Sequence, residues 1–189
     1  ISARVGQAVR LCFLNSPHNP TGAELDDTTL HQLIERCAKE NFLLVNDACY
    51  HAIPTRKPLS LAVIDNDRKV GLELYSFPLL LGLPPFPLGF AIGHRHLIAA
   101  LDSAAQVHPP FVPQAFVDLA TAGLQQSPGK SIQQMRQQLA ASSAAAQEML
   151  TALGIQPSAP ASVPFLWARL PHRRNSVAFA RMLLKRYRI

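Results

Sequence analysis

Asn19 and Asp47 are the residues of this 189-residue chain whose types and surroundings suit ligand chemistry. Asn19 lies in Ser16-Pro17-His18-Asn19-Pro20-Thr21-Gly22-Ala23-Glu24-Leu25, which follows directly on the apolar run Leu11-Cys12-Phe13-Leu14. Pro20 fixes φ and gives up its N–H, and Gly22 supplies backbone freedom, so the turn is rigid and Asn19 projects from the carboxyl end of a strand. A second apolar run, Phe42-Leu43-Leu44-Val45, leads straight into Asn46-Asp47-Ala48-Cys49-Tyr50. Open α/β sheets bind their ligands at the carboxyl ends of their strands, which is where both polar turns fall. Asn-Pro-Thr-Gly by itself reads equally well as an ordinary turn, and Asp47 by itself as a turn or capping aspartate.

The intervening residues 24–41 carry Leu30, Leu33, Ile34 and Cys37 at helical spacing, with Glu24, Asp26 and Asp27 crowding the amino end, where acids suit the helix dipole. The order is strand, polar turn, helix, strand, polar turn. If the two strands are parallel, Asn19 and Asp47 open onto one edge of the sheet.

Asn19-Pro20-Thr21-Gly22 and Asp47-Ala48-Cys49-Tyr50, followed by Leu72-Glu73-Leu74-Tyr75-Ser76 and Gly89-Phe90-Ala91-Ile92-Gly93, resemble the class I/II aminotransferases of pyridoxal-phosphate fold type I, the aspartate aminotransferase-like superfamily. The resemblance runs through the whole chain. It implies that Asn19 and Tyr50 meet the phenolic oxygen of the pyridoxal ring, that Asp47 pairs with the protonated ring nitrogen, and that Ser76 contacts the phosphate. A carboxylate beside the pyridinium keeps that nitrogen protonated, so that the ring can act as an electron sink. Amino acids and 2-oxo acids are the implied substrates, and the full-length form is implied to be a homodimer.

The departures lie in one stretch. The family lysine that forms the Schiff base falls three residues beyond the serine, where this chain has Leu79. The second serine of that motif falls at Pro78, and the phosphate-neutralising arginine at Pro87. Leucine has no amine and forms no imine, so the resemblance combined with this substitution predicts negligible turnover and a cofactor held weakly and noncovalently. Lys39, Lys57, Lys69, Lys130 and Lys185 read as solvated surface lysines. The run Ser76-Phe77-Pro78-Leu79-Leu80-Leu81-Gly82-Leu83-Pro84-Pro85-Phe86-Pro87-Leu88 carries four prolines and no charge, and is expected to be an extended apolar loop. A decayed active-site loop accounts for it better than a surface that docks a partner.

Further along, residues 95–106, 112–124 and 131–153 read as helices, the last of them long and amphipathic with Ile132, Met135, Leu139, Met149 and Leu150. A Pro/Ala/Ser linker ends at Ser162; residues 164–170 read as a strand and 175–187 as a final helix. Trp167 is expected in a small-domain core. The expected class is α/β, a partial three-layer α/β/α large domain of the pyridoxal-phosphate fold followed by the beginning of an α+β small domain. Residues 1–126 form the second part of the large domain, 127–154 the long interdomain helix and 155–189 the start of the small domain. Starting at Ile1 and lacking the family's outer segments, the chain is expected to be a piece of a longer protein.

The net charge of +6 raises nucleic-acid binding as a rival. Its cations are scattered, apart from Arg173-Arg174 and the group from Arg181 to Arg188, and no motif with interleaved aromatics accompanies them, so only nonspecific, salt-sensitive association is expected. Cys12, Cys37 and Cys49 lack metal-ligand spacing and read as free thiols of a reducing, cytoplasmic compartment. No apolar run among these residues is long enough to cross a bilayer, and none of them reads as a signal peptide.

Overall fold

A computed structural model describes residues 9–54, 58–65, 69–81, 87–107, 111–125, 129–157, 163–171 and 175–189. Strands β1 (Leu11–Asn15), β2 (Leu43–Asp47), β3 (Gly71–Ser76) and β4 (Gly89–Gly93) form one sheet in the order β1-β2-β3-β4. The pairs β1·β2 and β2·β3 are parallel, and β4 returns antiparallel to β3. The parallel condition set by the sequence is therefore met, and the ends of β1, β2 and β3 share one edge.

Helix α1 (Asp27–Glu40) links β1 to β2. It starts later than the acidic run suggests because Asp26 caps it: the Asp26 carboxylate accepts the Thr29 N–H at 2.8 Å and the Thr29 hydroxyl at 2.6 Å. It ends at Asn41, which adopts the left-handed conformation with φ 57° and donates its N–H to the Cys37 carbonyl. Leu30 and Cys37 of α1, Phe42, Leu44 of β2 and Leu61 of the short helix α2 (Leu61–Ile64) form the buried core, with Cys12 and Leu14 of β1 packed against it. Side chains alternate along a strand, so Cys12, Leu14, Leu44 and Asn46 face these helices. The register pairs Asn15, Asp47, Leu74 and Ala91 in one row, which together with Ser76 faces the other way. On that second face Leu11, Phe13 and Leu43 stay exposed.

After β3 the chain departs from the expected loop. Phe77–Leu81 is a helical turn, α3. Pro78 is its second residue, where an N–H has no intrahelical partner to lose, so proline is tolerated there. Residues 82–86 of that stretch lie outside the described residues, as do Lys57, Arg173, Arg174 and linker residues 158–162.

Helices α4 (Arg95–Ala105), α5 (Gln114–Gln125), α6 (Gly129–Ala152) and α7 (Ser176–Tyr187) follow the expected spans closely. The strand expected over 164–170 contracts to β6 (Ala168–Arg169), paired antiparallel with the equally short β5 (Gln156–Pro157). Trp167 is 50% exposed rather than in a core. With a two-residue partner strand, no second layer closes over it among the described residues.

Candidate functional site

The turn after β1 is held by its own backbone and side chains. The His18 N–H bonds the Ala23 carbonyl and the Gly22 N–H bonds the His18 carbonyl, both at 2.8 Å. Gly22 has φ 72°, the left-handed region that favours glycine. The Ser16 hydroxyl accepts the Leu25 N–H at 3.0 Å, and His18 Nδ1 lies 2.7 Å from the Thr21 hydroxyl.

Asn15 then ties this turn to the next. Its Oδ1 accepts the Asn19 N–H at 2.7 Å, and its Nδ2 donates to the Asp47 carbonyl at 2.9 Å. The outcome is a contact across 31 residues: Asn19 Nδ2 donates to the Tyr50 hydroxyl at 3.0 Å. The two residues singled out from separate motifs thus converge on one point. A cleft of about 470 Å³ is lined by Phe13, Leu14, Asn15, His18, Leu25 and Asp47, among others; Asn19 and Tyr50 are not in its lining.

The Asp47 side chain is fixed by the turn it begins. Oδ1 accepts the Cys49 N–H at 3.1 Å, and the Cys49 thiol also hydrogen-bonds this carboxylate. Burial, followed by that hydrogen bond and the Asp47 charge, pushes the Cys49 thiol up to about 12 from an ordinary 9.0. A raised thiol pKa means that Cys49 stays protonated as pH rises through the range where free cysteines ionise. Alkylation of Cys49 by iodoacetamide, followed by peptide mapping, should therefore keep accelerating above pH 9. Asp47→Asn removes the charge but leaves the burial, which is the largest cause, so a rise of about twofold to fivefold in the rate at pH 8.5 is expected.

Two contacts from later in the chain close over this edge. Arg136 of α6 donates from Nε to the Ala52 carbonyl at 2.7 Å, and the Phe165 ring meets Tyr50 edge-on with centroids 5.3 Å apart. Neither is announced by a motif. The only cue to Arg136 is a cation on an otherwise Gln- and Ala-rich helix.

Ser76 ends β3 on the same sheet face as Asp47, two residues past the Asp47–Leu74 pair. Leu79 is half-buried in α3 and Pro87 is exposed just before β4. Lys39, in the last turn of α1, and Lys69, just before β3, lie at the opposite edge of the sheet, while Lys130 and Lys185 are exposed on α6 and α7. No described lysine takes the place that the resemblance assigns to the covalent anchor. No cluster of three metal-ligating side chains occurs among the described residues, and no described helix is long and apolar enough to cross a membrane.

Residues 2–189 match the family described as aminotransferase class I and II. The chain belongs to that family. It is 25% identical over 178 residues to the LL-diaminopimelate aminotransferase of Methanocaldococcus jannaschii, covering 93% of this chain and 42% of the relative. It is also 25% identical over 195 residues to the L-glutamine–4-(methylsulfanyl)-2-oxobutanoate aminotransferase of Bacillus subtilis, covering 98% and 47%. Among solved structures, substrate-bound BacF from the same species superposes with a TM-score of 0.85 at 27% identity, over 98% of this chain and 48% of that one. This aminotransferase-family chain thus spans under half the length of these relatives, and its mixed α/β sheet with flanking helices is their fold. The family depends on pyridoxal phosphate.

The donor set fits one part of that cofactor. An amide and a phenol meeting at 3.0 Å suit a single ring oxygen, and a carboxylate held by its own turn suits a ring cation. The covalent anchor and the arginine for the phosphate have no counterpart at Leu79 and Pro87.

Proposed function

We propose that this chain carries the ring-binding part of a pyridoxal-phosphate-dependent aminotransferase site that serves the exchange of an amino group between an amino acid and a 2-oxo acid. In this reading Asn19 and Tyr50 hold the phenolic oxygen, Asp47 holds the ring nitrogen and keeps it protonated, and Ser76 donates to the phosphate. When bound, the cofactor supplies an electron sink for the substrate's α-carbon. The chain's own part is to orient the ring and to keep a positive charge on its nitrogen. The single observation that supports this most is the Asn19–Tyr50 hydrogen bond next to the turn-locked Asp47.

Leu79 favours a second reading for the chain as written. Without an amine at that position the cofactor is held noncovalently, and the protein acts as a catalytically inactive binding or scaffold member of the family. Residues 1–126, 127–154 and 155–189 are proposed as large-domain portion, interdomain helix and small-domain start, within a full-length homodimer of the cytoplasm.

Absorbance titration with pyridoxal phosphate, followed by borohydride and mass spectrometry, separates the readings. Saturable binding without a reducible protein adduct is the expected result. Asp47→Asn should weaken that binding about tenfold to a hundredfold, as for loss of one charged hydrogen-bond partner. Unchanged affinity in Asp47→Asn would remove the basis for the site.

A further inference from the structure

On the sheet face opposite Asp47 and Ser76, four rings lie in a row. Phe77, the first residue of α3, tilts onto Phe90 of β4 with centroids 4.8 Å apart. Phe90 stacks on Tyr75 of β3 at 5.0 Å with 10° between the planes, and Tyr75 meets His51 at 5.9 Å and 73°. The Tyr75 hydroxyl donates to Glu73 at 2.9 Å. Glu73 is fully buried and is itself held by the Ser60 hydroxyl at 2.6 Å and the N–H groups of Leu61 and Ala62 at 2.8 and 3.2 Å. Burial, with the Glu73 charge second, raises the Tyr75 phenol above its ordinary range, so the hydroxyl stays a donor.

His51 belongs to the turn that begins at Asp47. The sheet holds the start of that turn, where the Ala48 N–H bonds the Leu74 carbonyl at 2.9 Å, and Arg136 holds its far side at Ala52. Within it the His51 and Ile53 N–H groups bond the carbonyls of Ala48 and Tyr50. Such local bonds shape a turn without fixing its place against the sheet. The ring contact between His51 and Tyr75 adds that placement.

We propose that Tyr75 is a positioning residue: braced on Glu73 and Phe90, its ring seats the turn that carries Asp47 and Tyr50 in register with Ser76 and α3. The inference deepens the cofactor reading and rests on it for its functional consequence. Its structural part stands without cofactor, because Cys49 lies in the same turn and reports on it.

The test uses the whole chain. Cys49 alkylation is measured without cofactor, and pyridoxal phosphate affinity by titration, in Tyr75→Phe, Tyr75→Leu and the core control Leu30→Ala. Tyr75→Leu, which loses the ring, should speed Cys49 alkylation roughly tenfold and weaken cofactor binding by a similar factor. Tyr75→Phe keeps the ring and its stacking on Phe90 but loses the bond to Glu73, so both effects should be smaller than in Tyr75→Leu, about threefold. Leu30→Ala should lower Tm and move neither. Wild-type alkylation in Tyr75→Leu, or an equal rise in Leu30→Ala, overturns the proposal. If Tyr75→Leu does not fold, Phe90→Leu, which removes the brace on the other side of the ring, is read in the same assays with the same expected direction. A normal affinity in Asp47→Asn alongside fast alkylation in the ring variant would sink the cofactor reading and leave Tyr75 as the seat of the turn.

Discussion

Leu79→Lys combined with Pro87→Arg is expected to convert a chain that gives no borohydride-stable adduct with pyridoxal phosphate into one labelled stoichiometrically at residue 79. The backbone around residue 79 supports this expectation. Leu79 sits in a helical turn directly after Ser76, and that turn is fixed at its first residue by Phe77 against Phe90. A lysine there needs no rebuilt backbone, and its stem replaces apolar side-chain volume already half-buried. The arginine adds a charge-assisted bond to the phosphate, about 1.5–3 kcal/mol or roughly tenfold to a hundredfold in affinity. Peptide mapping decides the outcome. An adduct on another lysine in the parent chain would show that a residue elsewhere does the anchoring, and no adduct in the double variant would count against the placement of the ring beside α3.

Glu73→Ala is expected to cost about 3–5 kcal/mol of folding stability, read as the shift in urea unfolding followed by circular dichroism. The size follows from what is left behind. Four donors, from Ser60, Leu61, Ala62 and Tyr75, converge on a carboxyl group with no solvent exposure, and alanine strands all of them in a site too enclosed for each to find water. Glu73→Gln keeps an acceptor oxygen but turns an NH₂ toward donors, so an intermediate loss of about 1–3 kcal/mol is expected. A loss below about 1 kcal/mol in the alanine variant would mean that these donors find other partners.

The first strand, helix and second strand could be read from the sequence because each is written in local terms. Apolar runs end at polar turns, Leu30 and Cys37 fall on one helical face, and Asp26 and Asn41 punctuate the ends. Four prolines in a short apolar run speak against a helix, yet Pro78 occupies the second position of α3, where proline costs little, and the turn forms. Residues 164–170 alternate well enough for a strand, yet pairing needs a partner, and β5 offers two residues. That shortfall also leaves Trp167 at the surface. In the proposed site, the motifs drew attention to Asn19, Asp47, Tyr50 and Ser76, of which Asn19 and Tyr50 meet in the structure. Asn15, Arg136 and Phe165 escaped because their roles exist only once segments distant in sequence are brought together. Tyr75 and Glu73 entered only as part of a motif, and their contacts with Ser60, Phe90 and His51 likewise exist only in the folded chain.

The bond from Arg136 to the Ala52 carbonyl joins points 84 residues apart. Closing so large a loop carries an entropic penalty that neighbouring contacts do not, so this clasp should be among the last to form and the first to open. A change that steadies the turn from Asp47 to Ala52 should therefore also steady the part of α6 around Arg136, read as slower amide exchange there.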